Sequence, residues 1–364
     1  MTEKLWALMD QRAGEPDFAV PDLAAVRGAG LRRRRRRRAG VAGTGLAATA
    51  VLVAGALVAV GTARDADGGP DVASDPPPVW APTPFAYAVG TVVHDGGREI
   101  EVDHPVQALV RTRVGYVTAD DDERIWSVVD GREEQIGSTG GDPVELVSDP
   151  QRSQVAWVDA AQQAVVVHDQ TDGTEATYGI DRAPTATDAP SDHLYALDAG
   201  VLYVRSGGAA VAIDLATRAE TVLDPRVSPD SDVLDAASGR VAFIDADYEV
   251  SVGPTRARSR VRLEAKSPYG QLSPDAAFLA MTGDNGLVYD VSTGRAVDLG
   301  RTGFYESVLW ADATHLVAVA ESAPGSGVGV LLDCDVVRRS CRTAVELGLI
   351  SELEEDIVFA TGTT

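Results

Sequence analysis

The sequence predicts an all-β repeat fold held outside a membrane by one preceding helix, and three observations predict it. Seven consecutive arginines, Arg32, Arg33, Arg34, Arg35, Arg36, Arg37 and Arg38, precede twenty-five residues, 39–63, without a charge. From residue 85 onward, short β-rich apolar runs recur every 37 to 46 residues. The charge also changes sign along the chain. Residues 1–38 carry ten Lys and Arg against five Asp and Glu, net +5, while the remainder carries 22 bases and 50 acids, net −28.

Residues 1–38 are too few to bury a core and read as a mostly disordered basic tail. Leu5, Leu8 and Met9 share one helical face and offer a docking element for a cytoplasmic partner. Twenty-five helical residues reach roughly 37 Å, enough to cross a hydrocarbon core of about 30 Å. Residues 39–63 therefore predict a single-pass signal anchor in the cell membrane. The arginine run determines topology, because such a cluster stays on the cytoplasmic side. The N-terminus is then cytoplasmic and the rest extracytoplasmic. A cleaved signal peptide, with Gly61-Thr62-Ala63 as the small-residue site, is the alternative and exports the same portion. Residues 64–84 contain six prolines and form a semi-rigid stalk.

The repeats fill residues 85–362. Val114-Gly115-Tyr116, Val155-Ala156-Trp157, Val201-Leu202-Tyr203, Val241-Ala242-Phe243, Leu279-Ala280-Met281 and Leu316-Val317-Ala318 occupy equivalent places. After five of them a second apolar run reaches an acid, at Asp130, Asp169, Asp214, Asp290 and Asp333. An Asp at a strand end accepts hydrogen bonds from backbone N–H groups of the following turn, so these acids read as structural. Units of about forty residues match four-stranded propeller blades. Six lie between Val106 and Gly348. Phe85 to Val102, read as one strand from Tyr87 to His94, a turn and a second from Glu99, joins Asp356 to Ala360 in a composite seventh blade. The expectation is a seven-bladed β-propeller, with six blades as the alternative.

The turns Ser148-Asp149-Pro150 and Ser273-Pro274-Asp275, each before a short apolar strand, and the Asp290-Val291-Ser292-Thr293-Gly294 turn resemble the blades of TolB-like and WD-repeat-like β-propellers. The full Trp-Asp dipeptide is absent. The arginine tract and composition resemble membrane-anchored propeller proteins of high-GC Gram-positive bacteria. The resemblance implies a fold and leaves function open, because such repeats serve unrelated tasks.

No pattern for catalysis, metal or cofactor emerges. His94, His104, His168, His193 and His315 are scattered, and no phosphate loop, dinucleotide fingerprint or nucleophile elbow occurs. Gly325-Ser326-Gly327 reads as a hairpin loop. Asp120-Asp121-Asp122-Glu123 reads as a solvated hairpin tip rather than a calcium loop, as does Asp65-Ala66-Asp67 in the stalk. Cys334 and Cys341, with six residues between them, are expected to form a disulfide in an oxidising compartment. Arg256, Arg258, Arg260 and Arg262 alternate with small residues, which on a strand places all four on one face. They are either an exposed strand face or a docking stripe for an acidic partner or envelope polyanion.

The acidic exported part excludes nucleic acid as a partner. The expected function is non-catalytic binding of a protein or cell-envelope ligand. The alternatives are an exported lyase or hydrolase working in the propeller funnel, and a signal transducer acting through the N-terminal tail.

Overall fold

The computed structural model describes residues 85–96, 98–140, 145–180, 193–228, 231–264, 269–282, 287–300, 305–323, 325–349 and 357–361. The arginine run, the expected span 39–63 and the stalk lie outside these residues. Among the described residues no helix is long and apolar enough to cross a membrane. All described residues fall in the compact unit Asp75–Thr364.

Seven four-stranded antiparallel sheets follow one another along the chain. Blade 1 begins with β1 (Ala86–Val89), β2 (Val92–Asp95) and β3 (Arg98–Glu101). Blade 2 is β4 (Ala108–Arg111), β5 (Tyr116–Ala119), β6 (Arg124–Val129) and β7 (Arg132–Ser138), and blade 3 is β8 (Leu146–Ser148), β9 (Gln154–Asp159), β10 (Ala164–Asp169) and β11 (Glu175–Gly179). Blade 4 comprises β12 (Leu194–Asp198), β13 (Val201–Ser206), β14 (Ala209–Asp214) and β15 (Glu220–Asp224). Blade 5 comprises β16 (Asp232–Ala237), β17 (Arg240–Ile244), β18 (Glu249–Gly253) and β19 (Val261–Glu264). Blade 6 holds β20 (Tyr269–Leu272), β21 (Phe278–Thr282), β22 (Val288–Asp290) and β23 (Arg295–Val297), and blade 7 holds β24 (Tyr305–Trp310), β25 (His315–Glu321), β26 (Val328–Asp335) and β27 (Ser340–Leu349). The final strand, β28 (Ile357–Phe359), returns to blade 1 and pairs with β1 through Tyr87↔Phe359, Ala88↔Val358 and Val89↔Ile357. Strands from both ends of the domain thus close the ring in a composite seventh blade, and six blades are set aside. The stretch from Tyr87 to His94 is two strands, not one, because Gly90 at φ +58° reverses the chain between β1 and β2.

The recurring apolar triples fall on the second strand of blades 2–7. These strands are flanked by a neighbour on each side and packed against the next blade on each face, so they read as continuous apolar runs: Gln154–Asp159 and Arg240–Ile244 are buried at every interior position. In blade 2 the equivalence is displaced, since β5 starts at Tyr116 and Val114-Gly115 lies in the preceding turn. Outermost strands carry the polar surface, as in β7, Arg-Glu-Glu-Gln-Ile-Gly-Ser.

Seven apolar clusters hold the ring, one at each joint between adjacent blades. Close approach matters at the joint of blades 2 and 3. A Cβ on Gly137 would stand 2.5 Å from the Trp157 ring, so only glycine lets this buried indole lie against β7.

Asp169, Asp214 and Asp290 do what their turns require. Asp214 accepts from the Ala216 and Thr217 N–H groups at 3.0 and 2.8 Å, and Asp290 from Ser292 and Thr293 at 2.8 and 3.0 Å. The hydrogen bonds from Thr217 and from Ser292 lower the pKa of Asp214 and Asp290 respectively. Asp333 departs from this pattern. Strand β26 runs on past it, so Asp333 pairs with Arg342 at 2.7 Å while Asp335 accepts the turn N–H of Arg338 at 2.8 Å.

Asp120 is likewise no solvated tip. It is 1% exposed and accepts hydrogen bonds from Asp122 N–H, Arg124 N–H, Arg124 Nε and Trp126 Nε1 at 2.7 to 3.0 Å. Burial works to raise its pKa, but these donors outweigh it and the net shift is downward. His104 stacks on Trp126 with ring centroids 5.1 Å apart and lies 3.0 Å from Thr118 Oγ1, which ties the blade's entering segment to its middle strands. Its pKa is lowered by desolvation, against the pull of Glu133 and Asp120.

Candidate functional site

The innermost strands β4, β8, β12, β16, β20, β24 and β28 enclose a central channel of about 1620 Å³. At the end where these strands begin, blades 3 to 5 contribute one polar network. His193 Nδ1 lies 2.7 Å from Glu145 Oε1, and Leu194 N–H donates to Glu145 Oε2 at 3.2 Å. The Tyr195 hydroxyl donates to Asp232 at 2.5 Å, and buried Arg205 forms an ion pair with the same carboxylate. Desolvation raises the Tyr195 pKa, so the phenol remains the donor. A buried charge pair of this kind holds its geometry rigidly, because breaking it would strand a charge away from water.

Along the rest of the wall, carboxylates on one blade accept backbone N–H groups of the next. Asp149 takes Ala199 N–H at 2.9 Å, Asp198 takes Ser238 N–H at 2.8 Å and Asp235 takes Leu272 N–H at 2.8 Å. The Trp310 indole donates back to the Gln271 carbonyl at 3.0 Å. These clasps tie together inner strands that stand at the ends of their sheets, each paired on one side only among the described residues. They also concentrate acid. Desolvation raises the Asp198 pKa, with the Asp149 charge adding to it and the Ser238 N–H opposing. Asp235 is pushed up to about 7, first by desolvation and further by the Asp198 charge, against the Leu272 and Ala236 N–H groups. Sequence reasoning missed these acids as a set. Their signal is weak, since each sits near the end of a first strand whose register differs from blade to blade.

The four alternating arginines do not share a strand face. Arg256–Arg258 form a 3₁₀ turn between β18 and β19, and the turn rotates each side chain to a different direction. Arg256 turns inward: it pairs with Asp224, donates to the Asp232 and Ile244 carbonyls at 3.1 and 3.3 Å, and lies 4.9 Å over the Phe243 ring. Arg262, on β19, pairs with Glu249 at 3.3 Å on the surface. Arg258 and Arg260 are exposed and border a second cleft of about 710 Å³, which Arg240 also lines.

Cys334 and Cys341 form the expected disulfide, directly opposite each other on β26 and β27. Gly325 to Gly327 lie in the hairpin between β25 and β26, with Gly325 and Gly327 at positive φ. The five histidines remain apart, and among the described residues no group of three or more His, Cys, Asp or Glu can hold a metal ion.

Neither a protein-family model nor a curated protein matches the sequence. Among solved structures the chain is similar to the WD40 repeats of RRP9, at 14% identity and a TM-score of 0.50, covering 74% of this chain and 86% of that one. It is also similar to U3-55K, at 14% identity and a TM-score of 0.49 over 68% and 83% of the two chains. A third is the β-propeller domain of Myceliophteria thermophila Cps50 (Swd1), at 13% identity and 0.43 over 67% and 96%. At such identities the likeness to the RRP9 repeats shows the fold alone, a β-propeller, and the seven sheets of this chain give its blade number.

Proposed function

We propose that the chain is a single-pass membrane protein whose propeller, outside the cytoplasmic membrane, binds a protein or cell-envelope ligand without catalysis. The observation that carries this reading is the clasped inner ring. Carboxylates of one blade are committed to backbone N–H groups of the next, so the ring is a rigid frame that presents loops at both faces. Rigid frames bind well because little freedom is lost on association. The placement rests on Arg32 to Arg38 followed by the uncharged stretch 39–63.

One observation favours a second reading, an exported hydrolase or lyase working in the channel. Asp235 and Asp198 both hold raised pKa values on the channel wall, a feature that active sites share with structural networks. A third, signal transduction through the tail, depends on Leu5, Trp6 and Leu8.

Crosslinking in intact cells, with full-length protein beside a version lacking residues 2–30, separates the three. Recovery of the same partner with both forms is expected and puts the binding surface on the propeller. A partner seen with the full-length form alone moves the function to the tail. Reproducible failure with both defeats the binding reading and favours chemistry in the channel.

A further inference from the structure

The cleft beside β19 stands apart electrostatically from the domain around it. It is lined by three arginines, Arg240, Arg258 and Arg260, and by no carboxylate among the described residues, in a part of the chain where acids outnumber bases 50 to 22. The other two arginines of the alternating set are consumed by Asp224 and Glu249.

The cleft is also built rather than incidental. Arg256 anchors the 3₁₀ turn to the blade from below through Asp224 and two carbonyls, so Arg258 and Arg260 project from a fixed support. The loop folds tightly back on its own strand: a Cβ on Gly253 would meet Ser259 Cα at 2.6 Å and the Arg258 carbonyl oxygen at 2.8 Å. Arg240 comes from the β16–β17 hairpin of the same blade, and exposed Pro254 and Ala257 with half-buried Val261 supply an apolar side.

We propose that this cleft binds an acidic peptide segment of a partner protein, in which carboxylates alternate with small apolar side chains. The proposal rests on the binding-module reading above and names its partner chemistry. Guanidinium groups grip carboxylates through paired N–H donors. The apolar side formed by Pro254, Ala257 and Val261 accepts the small apolar side chains of such a peptide, whereas a phosphate polymer would place charge against it. Exposed arginines also act at a distance, raising the association rate of an anionic partner and making it salt-dependent.

The test uses full-length protein and a fluorescein-labelled peptide of alternating glutamate and valine, followed by fluorescence anisotropy. A peptide with glutamine in place of glutamate and inorganic polyphosphate complete the set. The expected result is binding of the glutamate peptide alone, weakened about tenfold or more by the double substitution R258Q/R260Q. Arg132→Gln, an exposed arginine on blade 2, should leave it unchanged, and thermal melts should show that both variants stay folded. Equal binding of both peptides, no binding, or equal loss with Arg132→Gln overturns the proposal. Polyphosphate that binds through the same arginines more tightly than the peptide overturns it in favour of a phosphate polymer. A partner still crosslinked to R258Q/R260Q in cells sinks the cleft and leaves the binding-module reading standing. Peptide capture by the cleft with no partner in cells does the reverse.

Discussion

The joint between blades 5 and 6 and the joint between blades 7 and 1 are made of the same strands and turns, yet they are packed very differently. The first buries twelve apolar residues, among them Leu263, Leu272, Leu279 and Met281. Among the described residues the second buries three, Leu309, Val317 and Leu331, with Phe85, Tyr87 and Phe359 partly buried beside them. The first joint links segments adjacent in sequence. The second waits for the two ends of the domain to meet, and its closing strand β28 makes three pairs with β1. Bringing distant segments together costs loop entropy that local joints do not face, so the seam has the least to gain and the most to offset. A ring nevertheless requires it, because without the seam blade 1 would present an open strand edge to other chains.

Removing β28 tests that comparison most severely. A chain ending at residue 356 should lose its single cooperative melt, or melt more than about 10 °C lower, as followed by circular dichroism. Unchanged melting would show that the seam contributes nothing and that the six local joints suffice.

Single substitutions should rank the two joints. Leu279→Ala, at a fully buried site in the first, should cost about 3 kcal/mol in urea unfolding. Leu309→Ala, which borders the channel as well as the seam, should cost about 1 to 2 kcal/mol, because the vacated space opens to solvent rather than forming a closed cavity. Equal costs would mean that the seam is as tightly packed as the other joints.

A pH-dependent effect of similar size concerns the clasp at the first joint. Because Asp235 is pushed up to about 7, the folded state keeps a proton that the unfolded chain, with a carboxylate near 4, releases. Folded protein therefore binds more protons across this window, and the Asp235 contribution to stability falls as pH rises from about 4 through 7. Asp235→Asn should remove that slope. Relative to the parent, the variant should gain on the order of 2 kcal/mol between pH 5 and pH 8, a value reduced for solvent in the channel. Parallel stability–pH curves for the two proteins would place the carboxyl in water rather than in the wall.

Taken alone, the sequence determined the fold in some detail. Repeats were legible because the second and third strands of each blade are buried on both faces, so Val155 to Trp157 and Leu279 to Met281 stand out as apolar runs at a spacing of one blade. The composite blade was legible from leftover strands at both ends, and the disulfide from two cysteines close in sequence. Asp214 and Asp290 announced their turns because an Asp and the N–H groups it caps are neighbours in the chain. Tertiary structure decided what depends on residues a blade apart. Asp149, Asp198 and Asp235 reach donors 50, 40 and 37 positions away, and no local pattern marks such a partner. Asp120 looked like a charged tip until Trp126 and Arg124 folded over it. The arginines looked like one stripe because alternation implies a face only while the chain is a strand. The 3₁₀ turn at Arg256–Arg258, together with Asp224 and Glu249 nearby, decided which guanidinium groups are spent and which face solvent.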